Sequence, residues 1–222
     1  MIIALLAAII ILFSVADYCF IQRKPLGEAT GKPRWKAVLP HGWKQLFLYL
    51  AVPLSMMAAG AMLYFFYQVP PIYAVKRLCV IGLLWPIAES DYQEMRIPNK
   101  VILIGLLIRL LILVAEGVFY GISVWGTWAN EGIAAIAAAV LCFVCILISK
   151  GSMGMGDIKL MIMMALFLGI EGMCYAMFMA VFFAFIVAVI LLISKRKGRK
   201  DAIPFAPFIL AGTLAAIILS GT

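Results

Sequence analysis

The stretch SKGSMGMGDIKL, residues 149–160, separates two long apolar runs. It contains three glycines and one acid, Asp157, at the point where the second run begins. Runs of about 20 apolar residues have the length that spans a bilayer as a helix. A carboxylate at the edge of such a run is costly and is a functional candidate by default. The stretch therefore predicts a helical membrane protein and singles out Asp157.

Composition extends this interpretation to the whole chain. Hydrophobic residues make up 66% of the 222 residues and charged residues 13%, whereas an average soluble domain is about half apolar. The apolar runs are continuous rather than alternating, so they predict helices and not barrel strands. We predict an all-α polytopic membrane protein with about eight spans, at residues 2–21, 46–67, 76–91, 98–115, 130–149, 157–170, 172–194 and 204–221.

The net charge of +8 is distributed in short clusters between the apolar runs, notably in 22–45 and 195–200. Such clusters mark cytoplasmic loops, so they indicate topology rather than nucleic-acid binding. Both termini are then predicted to lie outside. Lys76 and Arg77 fall near the outer end of span three, and we expect them to snorkel to headgroups. The predicted outer loops carry acids instead: Glu116, Glu131 and Glu171.

This topology brings two acids to the cytoplasmic face. Asp91 lies in ESDYQEMRIPNK, residues 89–100, and Asp157 in residues 150–159. Two carboxylates held close together share one proton, and the ionised member can then activate water, as in aspartic proteases. For either acid alone, a helix cap or a solvated carboxylate is the simpler explanation.

The neighbouring residues suit such a pair. The helix dipole favours a charged Asp157, and Gly154 and Gly156 are expected to allow positive φ and close approach of a substrate strand. Pro98 is expected at the first position of the next helix, which makes the turn after Asp91 short. Lys159 could bind a substrate carboxylate or snorkel at the interface.

Other chemistry finds little support. The Cys142-x-x-Cys145 pair has no second pair or nearby histidine to complete a zinc site, and His41 is the one histidine of the sequence. Arg109, inside span four, is interpreted as structural, with Glu116 or Glu131 as its partner. Asp17 is left without a role. Glu89 and Glu94, which flank Asp91, could attract a basic peptide but are interpreted as solvated. The predicted site therefore includes none of Glu89, Glu94, Arg109 and Asp17.

Three motifs together resemble a known family, the prepilin peptidases or type IV leader peptidases of bacteria. They are the G-x-G-D of residues 154–157, the aspartate Asp91 followed by the I-P-N of 97–99, and AIPFAPFILAG at 202–212. The resemblance covers about residues 76–222, a six-span core. It separates these residues from 1–75, a two-span region with a basic cytoplasmic loop.

The resemblance implies a membrane-embedded aspartic endopeptidase of the bacterial cytoplasmic membrane. It would cut the basic leader from type IV prepilins or related pseudopilins at the cytoplasmic face, without a cofactor, nucleic acid or metal. By the match Asp91 and Asp157 are the catalytic pair, and further residues support the site: Gly154, Gly156, Lys159, Pro98 and Asn99. Membrane lipids and prepilin-type substrates are the implied partners.

One departure from the family concerns the loop 22–45. Many longer members have a zinc-binding loop with two C-x-x-C pairs there and also methylate the new N-terminus. This loop contains no cysteine, so we predict no structural zinc, and N-methylation is doubtful. Three alternatives stay open on the residues: a presenilin- or signal-peptide-peptidase-like protease of other substrates, a proton-coupled transporter, and a membrane scaffold that binds pilus proteins.

Overall fold

The protein is almost entirely helical. The computed structural model describes residues 2–21, 43–149, 154–194 and 203–221, and the side chains of 3–17, 50–148, 154–194 and 203–221. These residues form seven α-helices and no strand. They are α1 (Ile2–Ile21), α2 (Trp43–Ala61), α3 (Pro71–Glu94), α4 (Asn99–Tyr120), α5 (Trp125–Ser149), α6 (Met155–Ile193) and α7 (Ala206–Ser220). The π-helical turn Met62–Phe66 extends α2, and the 3₁₀ turn Gly121–Val124 joins α4 to α5.

The all-α membrane class is confirmed. Within the described residues, three helical stretches are long and apolar enough to cross a bilayer: Pro71–Glu94, Asn99–Ile148 and Met155–Ile193. The second of these consists of α4 and α5, and the third reverses direction part-way. Shorter apolar helices cover Ile3–Asp17, Leu50–Phe66 and Ala206–Ser220. Each predicted span coincides with a helical segment, while the count of eight crossings stays a prediction.

Helix α3 lies at the centre of the bundle. It packs against α1, α2, α4, α6 and α7, and its Leu78, Ile81, Leu84 and Ile87 are fully buried. It runs from one end of the bundle to the other. We call the end with residues 94–99 and 154–157 the aspartate end, and the end with residues 66–71, 120–125 and 169 the opposite end.

Helix α6 reverses direction at Gly169. This residue has φ 70° and ψ −172°, in a region where a side chain is strained and glycine is not. The first half, 155–168, runs away from the aspartate end beside α5, since Cys142 contacts Met161 and Asn130 lies beside Gly169. The second half, 170–193, returns, because Ala188 and Phe205 line one cavity near the start of α7. Spans six and seven are therefore two antiparallel segments.

Gly212 lets α7 touch the returning half of α6. A Cβ atom at this position would lie 2.5 Å from the carbonyl oxygen of Ala176 and 2.5 Å from the amide nitrogen of Ala180. Backbone atoms cannot move aside as a side-chain tip can. The two helices therefore need a residue without a side chain here.

Gly212→Ala is expected to destabilise the protein by about 1–3 kcal/mol, because the added methyl group overpacks a backbone contact. Gly132→Ala is the matched control, since a Cβ atom there meets nothing within 4 Å. The midpoint of thermal unfolding in detergent measures both. A midpoint for Gly212→Ala equal to or above that of Gly132→Ala would contradict the close packing.

One sequence prediction about charge is wrong. Lys76 does not reach the headgroups: it is 3% exposed and forms ion pairs with Glu116 and Glu131. The cause is that α3 begins at Pro71, five residues before the expected start of span three. Lys76 thus lies more than one turn inside the helix, where two acids on α4 and α5 meet it. Glu116 and Glu131 were expected in outer loops and are instead helical and buried.

Some predictions concern residues that the structure does not describe or features that it does not test. The basic loop from 22 to 42, Lys150 and the basic run 195–200 lie outside the described residues. The division of the chain near residue 76 stays a prediction, and its position falls inside α3.

Candidate active site

Asp91 lies in the last turn of α3 and joins it to the start of α7. Its side chain is 7% exposed. The carboxylate oxygen Oδ2 accepts a hydrogen bond of 2.8 Å from the backbone N–H of Ala206. The first N–H groups of a helix have no intrahelical acceptor, and Asp91 supplies one for α7. The contact joins the Asp91 motif to the AIPFAPFILAG motif.

The turn after Asp91 is short and fixed by hydrogen bonds. Met95 ends α3 in the left-handed region with φ 51°, and its N–H donates to the Asp91 carbonyl at 2.8 Å. The Ser90 hydroxyl donates to the carbonyl of Arg96 at 3.0 Å. Pro98 immediately precedes α4, one position earlier than the sequence suggested. This constrained turn holds the residues of the I-P-N motif against the end of α3.

Asp157 lies in the first turn of α6, half-buried. Its N–H donates to the carbonyl of Gly154 at 3.1 Å. A Cβ atom at Gly156 would lie 2.9 Å from the Cβ atom of Ile97, so the absence of a side chain lets this turn contact the α3–α4 turn. The expectation of positive φ is wrong for both glycines: Gly154 has φ −70°, and Gly156 is a helical residue. Their shared property is space, not an unusual backbone.

Lys159 and Asn99 connect the same two turns. The Lys159 ammonium donates to the side-chain oxygen of Asn99 at 3.1 Å, near the surface. From the sequence, Lys159 could bind a substrate carboxylate or snorkel to the interface. The structure shows in addition that Lys159 joins α6 to α4 through this hydrogen bond. Of the acids flanking Asp91, Glu89 accepts a hydrogen bond from Gln93.

The geometry therefore brings together all the residues predicted for the site. Asp91 and Asp157 lie on neighbouring turns, because the turn at Gly156 contacts Ile97 in the turn that follows Asp91. Two carboxylates held close together can hold one proton between them, which leaves one base and one acid. Sequence reasoning missed the N–H of Ala206 and the side chain of Ile97. The spacing of AIPFAPFILAG pointed to a helix start but carried no signal that its N–H would face Asp91.

A second polar group lies at the other end of α4. Arg109 on α4 donates to Glu116 at 3.2 Å and to Glu131 on α5. Lys76 contacts the same two acids, and Trp128 donates to Glu116 at 3.0 Å. The interpretation of Arg109 as a structural residue with Glu116 or Glu131 as partner agrees with both contacts. We call Lys76, Arg109, Glu116 and Glu131 the charge cluster.

Fold and site define a class: an all-α integral membrane protein that brings two aspartates to one end of its bundle. The chain belongs to the type IV leader peptidase family, whose model matches residues 78–193, more than half of the chain. The match includes both aspartates, the α3–α4 turn and three of the four charge-cluster residues, Arg109, Glu116 and Glu131.

A curated relative supports the family. The chain is 30% identical over 138 residues to the prepilin leader peptidase/N-methyltransferase of Bacillus subtilis (strain 168). The alignment covers 62% of this chain and 53% of the relative, so the chain spans about half the length of that relative. No solved structure matches the chain.

Proposed function

We propose that the protein is a membrane-embedded aspartic endopeptidase. It removes the basic leader from type IV prepilins or related pseudopilins at the cytoplasmic face of the bacterial cytoplasmic membrane. The carrying observation is that Asp91 and Asp157 lie where three motifs of the family meet, since Asp91 binds the N–H of Ala206 and Gly156 packs against Ile97. Long apolar helices and membership of the family support this placement in the membrane.

In the proposed reaction the two carboxylates share the work of acid and base. The ionised carboxylate takes a proton from water, and the water oxygen bonds to the scissile carbonyl carbon. The protonated carboxyl donates its proton to the carbonyl oxygen. As the tetrahedral intermediate collapses, one of its two hydroxyl groups returns a proton to the carboxylate that acted as acid, the C–N bond breaks, and the leaving nitrogen takes up the proton acquired from water. The chain returns with one proton on the pair, ready for another peptide.

The surroundings of the pair suit a peptide with a basic leader and an apolar helix. Gly154, three residues before Asp157, is exposed and has no side chain. A helical backbone hides its carbonyls in hydrogen bonds, so the substrate must be extended at the cut. Glu89 and Glu94 lie on the last two turns of α3 beside Asp91. Their charges would attract a basic leader.

The proposal is tested by incubating the purified full chain in detergent or liposomes with leader-bearing prepilins and pseudopilins. We expect one product shortened by the leader, identified by its mass. The absence of cleavage with every leader-bearing substrate would contradict the proposal. The name of the Bacillus subtilis relative also includes N-methyltransferase. If a methyl donor is added to the reaction, the same mass spectra detect methylation of the product separately from cleavage. Our proposal is confined to cleavage.

A further inference from the structure

The charge cluster lies at the far end of α4 from the aspartates and balances its own charge. Its two cations and two acids come from α3, α4 and α5, and none of the four is more than 4% exposed. Charges removed from water in this way are stabilised only when they are paired and hydrogen-bonded. Among the four, Arg109 has a contact that the others lack.

Arg109 also binds the backbone of α6. Its Nε donates to the carbonyl of Leu166 at 2.8 Å. In an unbroken helix that carbonyl would accept the N–H of residue 170. The reversal at Gly169 directs the N–H of Ile170 to the side-chain oxygen of Asn130 instead, at 3.4 Å. Arg109 therefore replaces the hydrogen bond that the reversal removes.

Within the part of the chain that the structure describes, this contact is one of two polar ties between α4 and the first half of α6. The other joins Asn99 to Lys159 at the aspartate end. Between these two ties the helices are in close contact, since a Cβ atom at Gly105 would overlap the sulfur of Met163. Leu166 follows Asp157 by nine residues, about 13 Å of helix. Because a helix of this length is stiff, the position of Leu166 along α4 sets the height of Asp157.

We propose that Arg109 is a positioning residue for the carboxylate pair: through Leu166 it fixes the axial height of residues 155–168 and so the spacing between Asp157 and Asp91. The inference rests on the proposed function, in which these two aspartates are the catalytic pair. Arg109 touches neither the substrate nor the aspartates. The guanidinium of Arg109 contacts two acids and the Leu166 carbonyl at once. The ammonium of Lys76 contacts the same two acids but not that carbonyl.

Two double variants separate positioning from charge balance. Arg109→Met with Glu131→Gln leaves Lys76 paired with Glu116 and removes the bond to Leu166. Lys76→Met with Glu131→Gln leaves Arg109 paired with Glu116 and keeps that bond. Each variant loses one cation and the same acid, so the remaining cluster is neutral in both. A role in folding alone predicts the same behaviour for the two variants.

The first readout is cleavage of a leader-bearing pseudopilin as a function of pH. For the Arg109 variant we expect kcat to fall about tenfold or more, with KM little changed, because misplacement of a catalytic group by about 1 Å is enough. The alkaline limb of its profile should move to lower pH, since carboxylates further apart share a proton less tightly. Asp91, Asp157 and the neighbouring Lys159 are unaltered in both variants. Similar kcat values and pH profiles in the two variants would overturn the proposal.

The second readout does not depend on proteolysis. Ile97→Cys and Gly156→Cys, in a chain whose native cysteines are replaced by alanine, place two thiols at the contact between the two turns. A Cβ atom at 156 would lie 2.9 Å from that of residue 97, so the turns must separate slightly, and equally in both variants, to reach the disulfide range of about 3.5–4.5 Å. We expect disulfide formation to be at least several-fold slower with the Arg109 variant than with the Lys76 variant. Equal rates would contradict the positioning role. If slower cross-linking were accompanied by an inactive wild-type chain, the proposed function would fail while the positioning of Asp157 stood.

Discussion

Asp91→Asn and Asp157→Asn are each expected to reduce leader cleavage by about 10³-fold or more, because one carboxylate cannot act as both base and acid. Asparagine is nearly isosteric with aspartate, and its side-chain oxygen can still accept the N–H of Ala206 that Asp91 binds. The substitution therefore removes the chemistry while it preserves the contact between α3 and α7. The initial rate of product formation, measured by mass, gives the effect.

Additivity and a control sharpen this prediction. Because the two carboxylates act as a unit, the double variant should be no slower than the slower single variant. Glu171→Gln, which alters an exposed acid beside Gly169 at the opposite end of the bundle, should retain wild-type activity. A single aspartate variant within tenfold of wild type would remove that residue from the catalytic pair, and independent additive losses would contradict a shared proton.

The convergence of Asp91 and Asp157 could be expected from sequence because both acids border apolar runs. Charge clusters then decide which membrane face each border occupies, and no knowledge of helix packing is needed. The contact between Asp91 and Ala206 could not be expected in this way. It depends on the lateral packing of α7 against α3, which apolar residues around the whole of each helix leave unspecified. Hydropathy thus gives the depth of a residue and not its neighbours.

Lys76 is a second residue whose neighbours could not be predicted from the sequence. On sequence alone, a lysine near the end of a span is best explained by its reach to water. Its acceptors lie 40 and 55 residues further along the chain, on α4 and α5. Arg109 lies well inside its span, so an acid was considered as its partner, and the structure pairs it with both Glu116 and Glu131. For both residues the prediction depended on their depth in the membrane. Lys76 was predicted to lie near the surface because the start of its helix was predicted at residue 76, whereas α3 begins at Pro71.

The reversal at Gly169 was anticipated as a boundary between spans six and seven, with its position shifted by a few residues. Glu171 suggested the boundary, since an acid is expected outside the bilayer. The structure places the turn at Gly169, where Asn130 lies only 3.0 Å from the site of a Cβ atom. Positive φ and lack of space both require glycine there. Neither requirement is visible without the neighbouring helix.

The largest loss of stability is expected from Glu116→Leu. Glu116 is fully buried and accepts hydrogen bonds from Lys76, Arg109 and Trp128. Its removal leaves two cations facing Glu131 alone among buried side chains. Breaking a buried ion pair by deleting one partner costs about 3–5 kcal/mol, more than the pair contributes over an apolar replacement, because the charge left behind has lost its solvation.

Removal of one cation together with Glu116 tests that reason. Lys76→Met with Glu116→Leu leaves Arg109 paired with Glu131 and restores a neutral cluster, so it should recover much of the loss seen with Glu116→Leu alone. The fraction folded during titration with a denaturing detergent measures both variants against the wild type. If the second substitution instead adds its own loss, the cluster stabilises α3, α4 and α5 through its individual hydrogen bonds. If it restores stability, charge balance dominates, and α3 can lose Lys76 without losing its place at the centre of the bundle.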